Sequence, residues 1–257
     1  IEEREEYEPL IDAGITVFAG VDYAMILKEA EKEADVIIWD GGNNDAPFIR
    51  PDLAITVADP LRAGHETTHI HGTVNLITAD IVVVNKMNNA GEKAYDALSK
   101  NIRILNPSAL IIRTASVVKV DSDIEGKKVL VVEDGPTLTH GGMSFGAGIV
   151  AARENRATPV DPRPWAVGAI KETFERFPHL AEVIPAMGYS TEQIRDLEET
   201  INSVPCDAVL VATPVDLSRV IKINRPVIRV RYDISEMDTP GVKESIRDFI
   251  GLIKGRQ

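Results

Sequence analysis

An α/β fold with a mostly parallel sheet flanked by helices follows from three observations on this 257-residue chain. Short runs of Val, Ile and Ala recur along it, as strands buried on both faces require. Stretches mixing apolar and charged residues separate those runs, the order in which parallel strands and crossover helices alternate. Gly, Asn, Asp and Thr collect where several runs end, which is where open parallel sheets hold their ligands.

Taken in order, the apolar runs predict strands at 14–19, 36–39, 53–57, 81–84, 110–113, 129–132, 208–212 and 227–231. The intervening stretches predict helices over 23–33, 92–100, 145–154, 166–177, 191–202 and 243–252, several opened by Thr, Asp or Gly. Three prolines in the segment 158–164 make it a stiff connector rather than a helix or central strand. The polar stretch Asp121-Ser122-Asp123-Ile124-Glu125-Gly126 is the one weak boundary. It divides the chain at 1–120 and 121–257, as one continuous sheet or two tightly packed lobes. No internal repeat or low-complexity segment is visible.

Composition bounds the function. Hydrophobic content of 44% and charged content of 26% are those of an ordinary globular protein, and a net charge of −12 opposes binding to a polyanion, so nucleic acid is an unfavourable partner. No apolar run approaches the roughly 18 residues of a membrane span, so no membrane partner is expected. Cys206 is the only cysteine, which excludes an internal disulfide and fits a reducing, cytoplasmic setting. A homo-oligomer is left open.

The chemistry-bearing residues follow the apolar runs. Asp40-Gly41-Gly42-Asn43-Asn44-Asp45 follows 36–39; an aspartate at a strand end can hold a magnesium-bound water, making Asp40 a catalytic and metal candidate. Gly41 and Gly42 would let backbone N–H groups approach a phosphate, with a tight turn as the equal alternative. Asn85-Lys86-Met87-Asn88 follows 81–84 and approaches the N-K-x-D element that reads guanine. Asn88 stands where that element has a carboxylate, and its amide offers one acceptor and one donor, which weakens guanine preference. The nucleotide candidates are therefore Gly41, Gly42, Asn85, Lys86 and Asn88, with ATP or GTP as the ligand.

Arg62 and His65, after 53–57, are candidates for a substrate phosphate, Arg62 as a bidentate fork. His65, His69 and His71 alternate without a clear carboxylate partner and read as surface chemistry rather than a metal site. The densest segment runs from Val132 to Gly148. It carries Glu133, Asp134 and His140 as proton-transfer or metal groups, and Gly141 and Gly142 as part of an anion-binding loop feeding a helix N-terminus. The alternative there is that Gly146 and Gly148 serve only close helix packing. Asp216, after 208–212, is best read as a helix cap.

Such elements usually lie downstream of a phosphate-binding loop G-x-x-x-x-G-K-[ST], and the chain has no match to that pattern. The expectation is a P-loop NTPase-like fold with the P-loop strand absent from this chain, which starts at Ile1 and reads as the later part of a longer protein.

Trp39-Asp40-Gly41-Gly42, Asp59-Pro60 with Arg62 and Gly64-His65-Glu66, Asn85-Lys86, the run from Val132 to Gly141 and Thr213-Pro214-Val215-Asp216-Leu217 together resemble one family across nearly the whole chain. It is the cyclic 2,3-diphosphoglycerate synthetase-like group of predicted GTPases, found mainly in archaea and thermophilic bacteria. The resemblance implies an upstream Rossmann-like domain and phosphate loop, use of ATP or GTP with Mg2+, and a small phosphorylated metabolite as substrate. It implies Asp40 organising magnesium, with Arg62 and His65 neutralising the second phosphorylated substrate. The alternatives are a slow GTPase or nucleotide-binding regulatory module, or an inert fragment.

Overall fold

The computed structural model describes residues 2–42, 45, 47–139 and 143–255. They gather into two compact units: a first of Ile1–Leu27 with Val118–Tyr232, and a second of Lys28–Val117 with Asp233–Gln257. The helices are α1 (Glu2–Asp12), α2 (Tyr23–Ala30), α3 (His65–Thr68), α4 (Ile70–Thr78), α5 (Glu92–Leu105), α6 (Gly135–Thr139), α7 (Ala147–Glu154), α8 (Gly168–Arg176), α9 (Thr191–Ser203) and α10 (Val242–Lys254). The strands are β1 (Ile55–Ala58), β2 (Ile81–Val84), β3 (Leu110–Val120), β4 (Lys128–Asp134), β5 (Thr158–Pro159), β6 (Val183–Ala186), β7 (Ala208–Ala212) and β8 (Val227–Glu236).

In the second unit β2 lies between β1 and β3, parallel to both, with Ile81 opposite Ile55 on one side and Leu110 on the other. All four residues of β2 are buried, as its Ile-Val-Val-Val sequence demands of a strand covered on both faces. Leu76 of α4 and Leu98 and Ile102 of α5 pack with Val82 and Val84 into one core, while Ile81, Val83 and Ile112 form a second. Asn106 secures the joint between α4 and β3. It is 4% exposed, its amide donates to the carbonyls of Leu76, Ile77 and Ala79, and its Oδ1 accepts the Ala109 N–H at 3.1 Å.

In the first unit β4 is central. It pairs in parallel with β7 along one side and with β5 then β6 along the other, and β7 pairs in parallel with β8. A single apolar core is built from β4, β6 and β7 with the buried faces of α7, α8 and α9. Helix α9 begins with a capping box: Ser190 Oγ accepts the Gln193 N–H at 3.2 Å and Gln193 Oε1 accepts the Ser190 N–H at 3.2 Å.

The α/β architecture with parallel pairing is as the sequence predicts. The runs 14–19 and 36–39 are not strands. Among the described residues no strand pairs with either, and Val36 and Ile38 are 68% and 85% exposed. A strand needs a neighbour for its N–H and C=O groups, and an apolar run alone does not supply one. Strand β6 was hidden for the opposite reason. Its Pro185 argues against an interior strand, yet it is accommodated on the outer flank of β4 opposite Glu133.

Candidate functional site

In the second unit Asp59 and Asn85-Lys86 follow the carboxyl ends of β1 and β2, and Thr114 lies within β3 just past its last residue paired with β2. The Asn85 N–H donates to the Ala58 carbonyl and the Met87 N–H to the Thr114 carbonyl, both at 3.1 Å. Lys86, between them, adopts the left-handed backbone region at φ 62°, unusual for a residue with a long side chain. Its Nζ lies 2.8 Å from Asp59 Oδ2, and Arg62 Nε lies 3.3 Å from the same oxygen. Asp59 Oδ1 accepts the Leu61 N–H at 2.9 Å, capping the 3-10 turn Pro60–Arg62. The Thr114 hydroxyl donates to Asn85 Oδ1 at 2.9 Å, fixing that side chain against β3.

In the sequence Asp59 stands only as part of the Asp59-Pro60 motif, with no role of its own. The signal that finds it is register: Asp59 follows β1 as Asn85 follows β2, so parallel pairing brings them together.

His65 opens α3 after Gly64, whose φ of 106° suits glycine alone. Its ring stacks on His69 at 4.9 Å, and Glu66 ties α3 to α5 by accepting from Asn101 Nδ2 at 2.6 Å. Asn88 spends its amide on β3, accepting the Ser116 N–H and donating to the Ser116 carbonyl, each at 2.9 Å.

Asp40, Gly41 and Gly42 lie in an exposed irregular segment instead of at a strand end. The Gly42 N–H donates to Asp45 Oδ2 at 3.0 Å and the Asp45 N–H donates back to the Gly42 carbonyl at 3.1 Å. Trp39 packs edge-on to Phe48 at 4.5 Å beside it. Among the described residues no group of three or more His, Cys, Asp or Glu side chains is placed to hold a metal ion.

Glu133 and Asp134 end β4 in the first unit. Glu133 is 2% exposed, and its Oε1 accepts the Gly146 and Ile149 N–H groups, both at 3.0 Å. This carboxylate therefore sits on the N-terminus of α7, in the place where the sequence suggested a ligand anion. Burial raises its pKa above the usual carboxylate value, against the opposing pull of the backbone N–H groups. The glycines permit the approach. A Cβ on Gly146 would lie 2.5 Å from Glu133 Oε2, and one on Gly148 would lie 2.6 Å from Val131 Cγ1. Close packing thus accounts for both. Asp134 is half-buried beside Gly135, and His140, Gly141 and Gly142 lie outside the described residues.

Asp216 caps the 3-10 turn Leu217–Arg219 through the Ser218 N–H at 3.2 Å, as expected of it. An open concavity of about 320 Å³ in the same unit is bordered by Ser144, Arg153, Asp161, Arg163 and His179. Both arginines are engaged there by acids, Arg163 with Asp161 at 2.6 Å and Arg153 with Glu182 at 3.2 Å. No described helix is long and apolar enough to cross a membrane.

The fold and the second-unit edge define an α/β protein whose parallel strands present cations and amides at their carboxyl ends. No family model matches the chain. It is similar to the arginine synthetase ArcE of Thermococcus kodakarensis, 52% identical over 252 residues that cover 97% of this chain and 56% of the relative. Two cyclic 2,3-diphosphoglycerate synthetases are also similar over shorter spans. That of Pyrococcus furiosus is 25% identical over 118 residues, 46% of this chain and 27% of its own length; that of Thermococcus sibiricus is 29% identical over 111 residues, 43% and 26%. The chain spans just over half the length of the first relative and about a quarter of the others. The likeness to the family suggested by the motifs covers less than half of the chain rather than nearly all of it, and the more extensive likeness is to an arginine synthetase.

Proposed function

We propose that this chain is part of a nucleotide-dependent synthetase acting on a small metabolite, with an amino acid precursor of arginine as the substrate of first choice. The observation that carries the reading is the 52% identity to an arginine synthetase along 97% of the chain. The second-unit edge supports it, because cations at the carboxyl ends of parallel strands suit phosphates. Making a guanidinium from a ureido group requires that a carbonyl oxygen leave, and transfer of a phosphoryl group from ATP or GTP to that oxygen makes it do so. Ammonia then adds to the carbon, and the oxygen departs with the phosphate. Mg2+ would accompany the nucleotide.

Lys86 and Arg62 are proposed to neutralise phosphate oxygens, with Asn85 and Thr114 bordering the nucleotide. Positioning and charge neutralisation supply most of the catalysis in this scheme. A phosphorylated metabolite is the second reading, favoured by the partial likeness to two cyclic 2,3-diphosphoglycerate synthetases.

The test is incubation of the whole purified protein that carries this chain with Mg2+ and ATP or GTP in two parallel assays, one containing a ureido amino acid and ammonium, the other 2,3-bisphosphoglycerate. Arginine with nucleotide cleavage supports the first reading. A cyclic product seen by phosphorus NMR supports the second. Nucleotide cleavage without either product points to a slow NTPase module, and no cleavage rejects both synthetase readings.

A further inference from the structure

Asp59 Oδ2 is shared by two cations. Lys86 Nζ approaches it at 2.8 Å and Arg62 Nε at 3.3 Å, while the other carboxylate oxygen is committed to the Leu61 N–H. The carboxylate is largely shielded, at 12% side-chain exposure, whereas Lys86 and Arg62 are 34% and 41% exposed. Two positive charges face one negative charge, so the cluster keeps a net positive charge and both cations remain reachable from solvent.

The backbone at Lys86 points the same way. Both neighbours are tied to the adjacent strands, Asn85 to Ala58 at the end of β1 and Met87 to Thr114 within β3, and Lys86 takes the left-handed conformation between them. A non-glycine residue held there by its surroundings is a mark of a position fixed for use. The chain of contacts places one lysine and one arginine over a single point at the junction of β1 and β2.

We infer that Asp59, Lys86 and Arg62 form one polyphosphate-binding site, in which Lys86 and Arg62 contact the same phosphoryl group and Asp59 is a positioning residue. This deepens the nucleotide-dependent reading above and rests on it for the identity of the physiological ligand. Asp59 holds the two cations at the strand ends before a phosphate arrives and keeps them aimed once it binds. Its negative charge also weakens the ligand's attraction to the site. Position is thereby gained at the expense of affinity.

Asp59→Asn separates this role from a structural one. Asparagine is as good a cap as aspartate and keeps Oδ1 for the Leu61 N–H, while it removes the charge facing Lys86 and Arg62. The probe is inorganic pyrophosphate, titrated calorimetrically at low ionic strength, with melting curves showing that each variant is folded. Lys86→Ala and Arg62→Ala are each expected to weaken pyrophosphate binding about tenfold. Asp59→Asn is expected to bind it about fivefold more tightly, with a steeper salt dependence. In nucleotide turnover, Asp59→Asn should lower KM and kcat together.

Absence of pyrophosphate binding by the parent protein, equal binding by parent and Asp59→Asn, or weakening by only one of the two cation variants would overturn the shared site. Loss of fold in Asp59→Asn would move the comparison to Asp59→Ser, which also caps without charge. If pyrophosphate behaves as expected and no variant or parent turns over nucleotide, the proposed function fails and the site stands. If turnover is present and Asp59→Asn leaves both binding and the KM–kcat pair unchanged, the site fails and the proposed function stands.

Discussion

The side-chain amide of Asn88 makes a two-point contact with the backbone of Ser116, accepting its N–H and donating to its carbonyl, each at 2.9 Å. The amide thus imitates a neighbouring strand along β3 beyond its pairing with β2, and both of its functions are consumed.

Asn88→Asp restores the N-K-x-D spelling, yet it removes the donor to the Ser116 carbonyl and sets a carboxylate oxygen against it. We predict a loss of about 1 kcal/mol in stability and no gain in guanine selectivity. Paired denaturant melts and competition between ATP and GTP for the protein would show this. A tenfold rise in preference for GTP in Asn88→Asp would refute it.

Glu133 makes stability depend on pH. Its folded pKa is raised, chiefly by burial, so its favourable contribution is fully present below the unfolded value and is lost as pH rises through the folded one. Glutamine keeps an acceptor for the Gly146 and Ile149 N–H groups without titrating. The melting temperature of Glu133→Gln relative to the parent should therefore climb as pH rises from acid through neutrality; a difference constant in pH would contradict the raised pKa.

Asp238 works with the opposite sign. It accepts from the Arg113 N–H at 2.7 Å and from the guanidinium at 2.6 Å, and that arginine holds its carboxyl below the usual range. The contribution is present above the unfolded pKa and lost as pH falls through the folded one. After discounting for solvent, Asp238→Asn should cost about 1 kcal/mol at neutral pH. That cost should shrink in acid, which chemical denaturation at several pH values can follow.

Gly148→Ala tests the packing of α7 on β4. The added methyl would sit 2.6 Å from Val131 Cγ1 and 3.0 Å from Ala212 Cβ, both in strands that cannot retreat. Overpacking of this kind costs about 1–3 kcal/mol, visible as a lower denaturation midpoint. An unchanged midpoint would mean that helix and sheet are less tightly apposed.

Strand β2, strand β7 and the start of α5 are legible in the sequence because local pattern and final environment agree there: Ile81-Val82-Val83-Val84 is buried throughout, and Gly91 precedes a clearly amphipathic helix. The run Val36-Ile37-Ile38-Trp39 misleads because pairing, unlike hydrophobicity, is not a property of the run itself. Asn85 and Lys86 were visible as chemistry, and their convergence with Asp59 was not, since it depends on the register of β1 against β2. Glu133 was recognised as unusual, but only burial shows that its charge faces the backbone of its own chain.

The cap that Glu133 places on α7 has a further consequence for divergence. The helix start is anchored from a strand, thirteen residues upstream of Gly146, instead of by the segment that leads into it. The residues between are thereby relieved of the task of setting where the helix begins, although Leu138 among them is fully buried in the core of the first unit. A lineage that kept Leu138 and Gly135 could vary exposed positions of that stretch, such as Ser144, while inheriting the same scaffold.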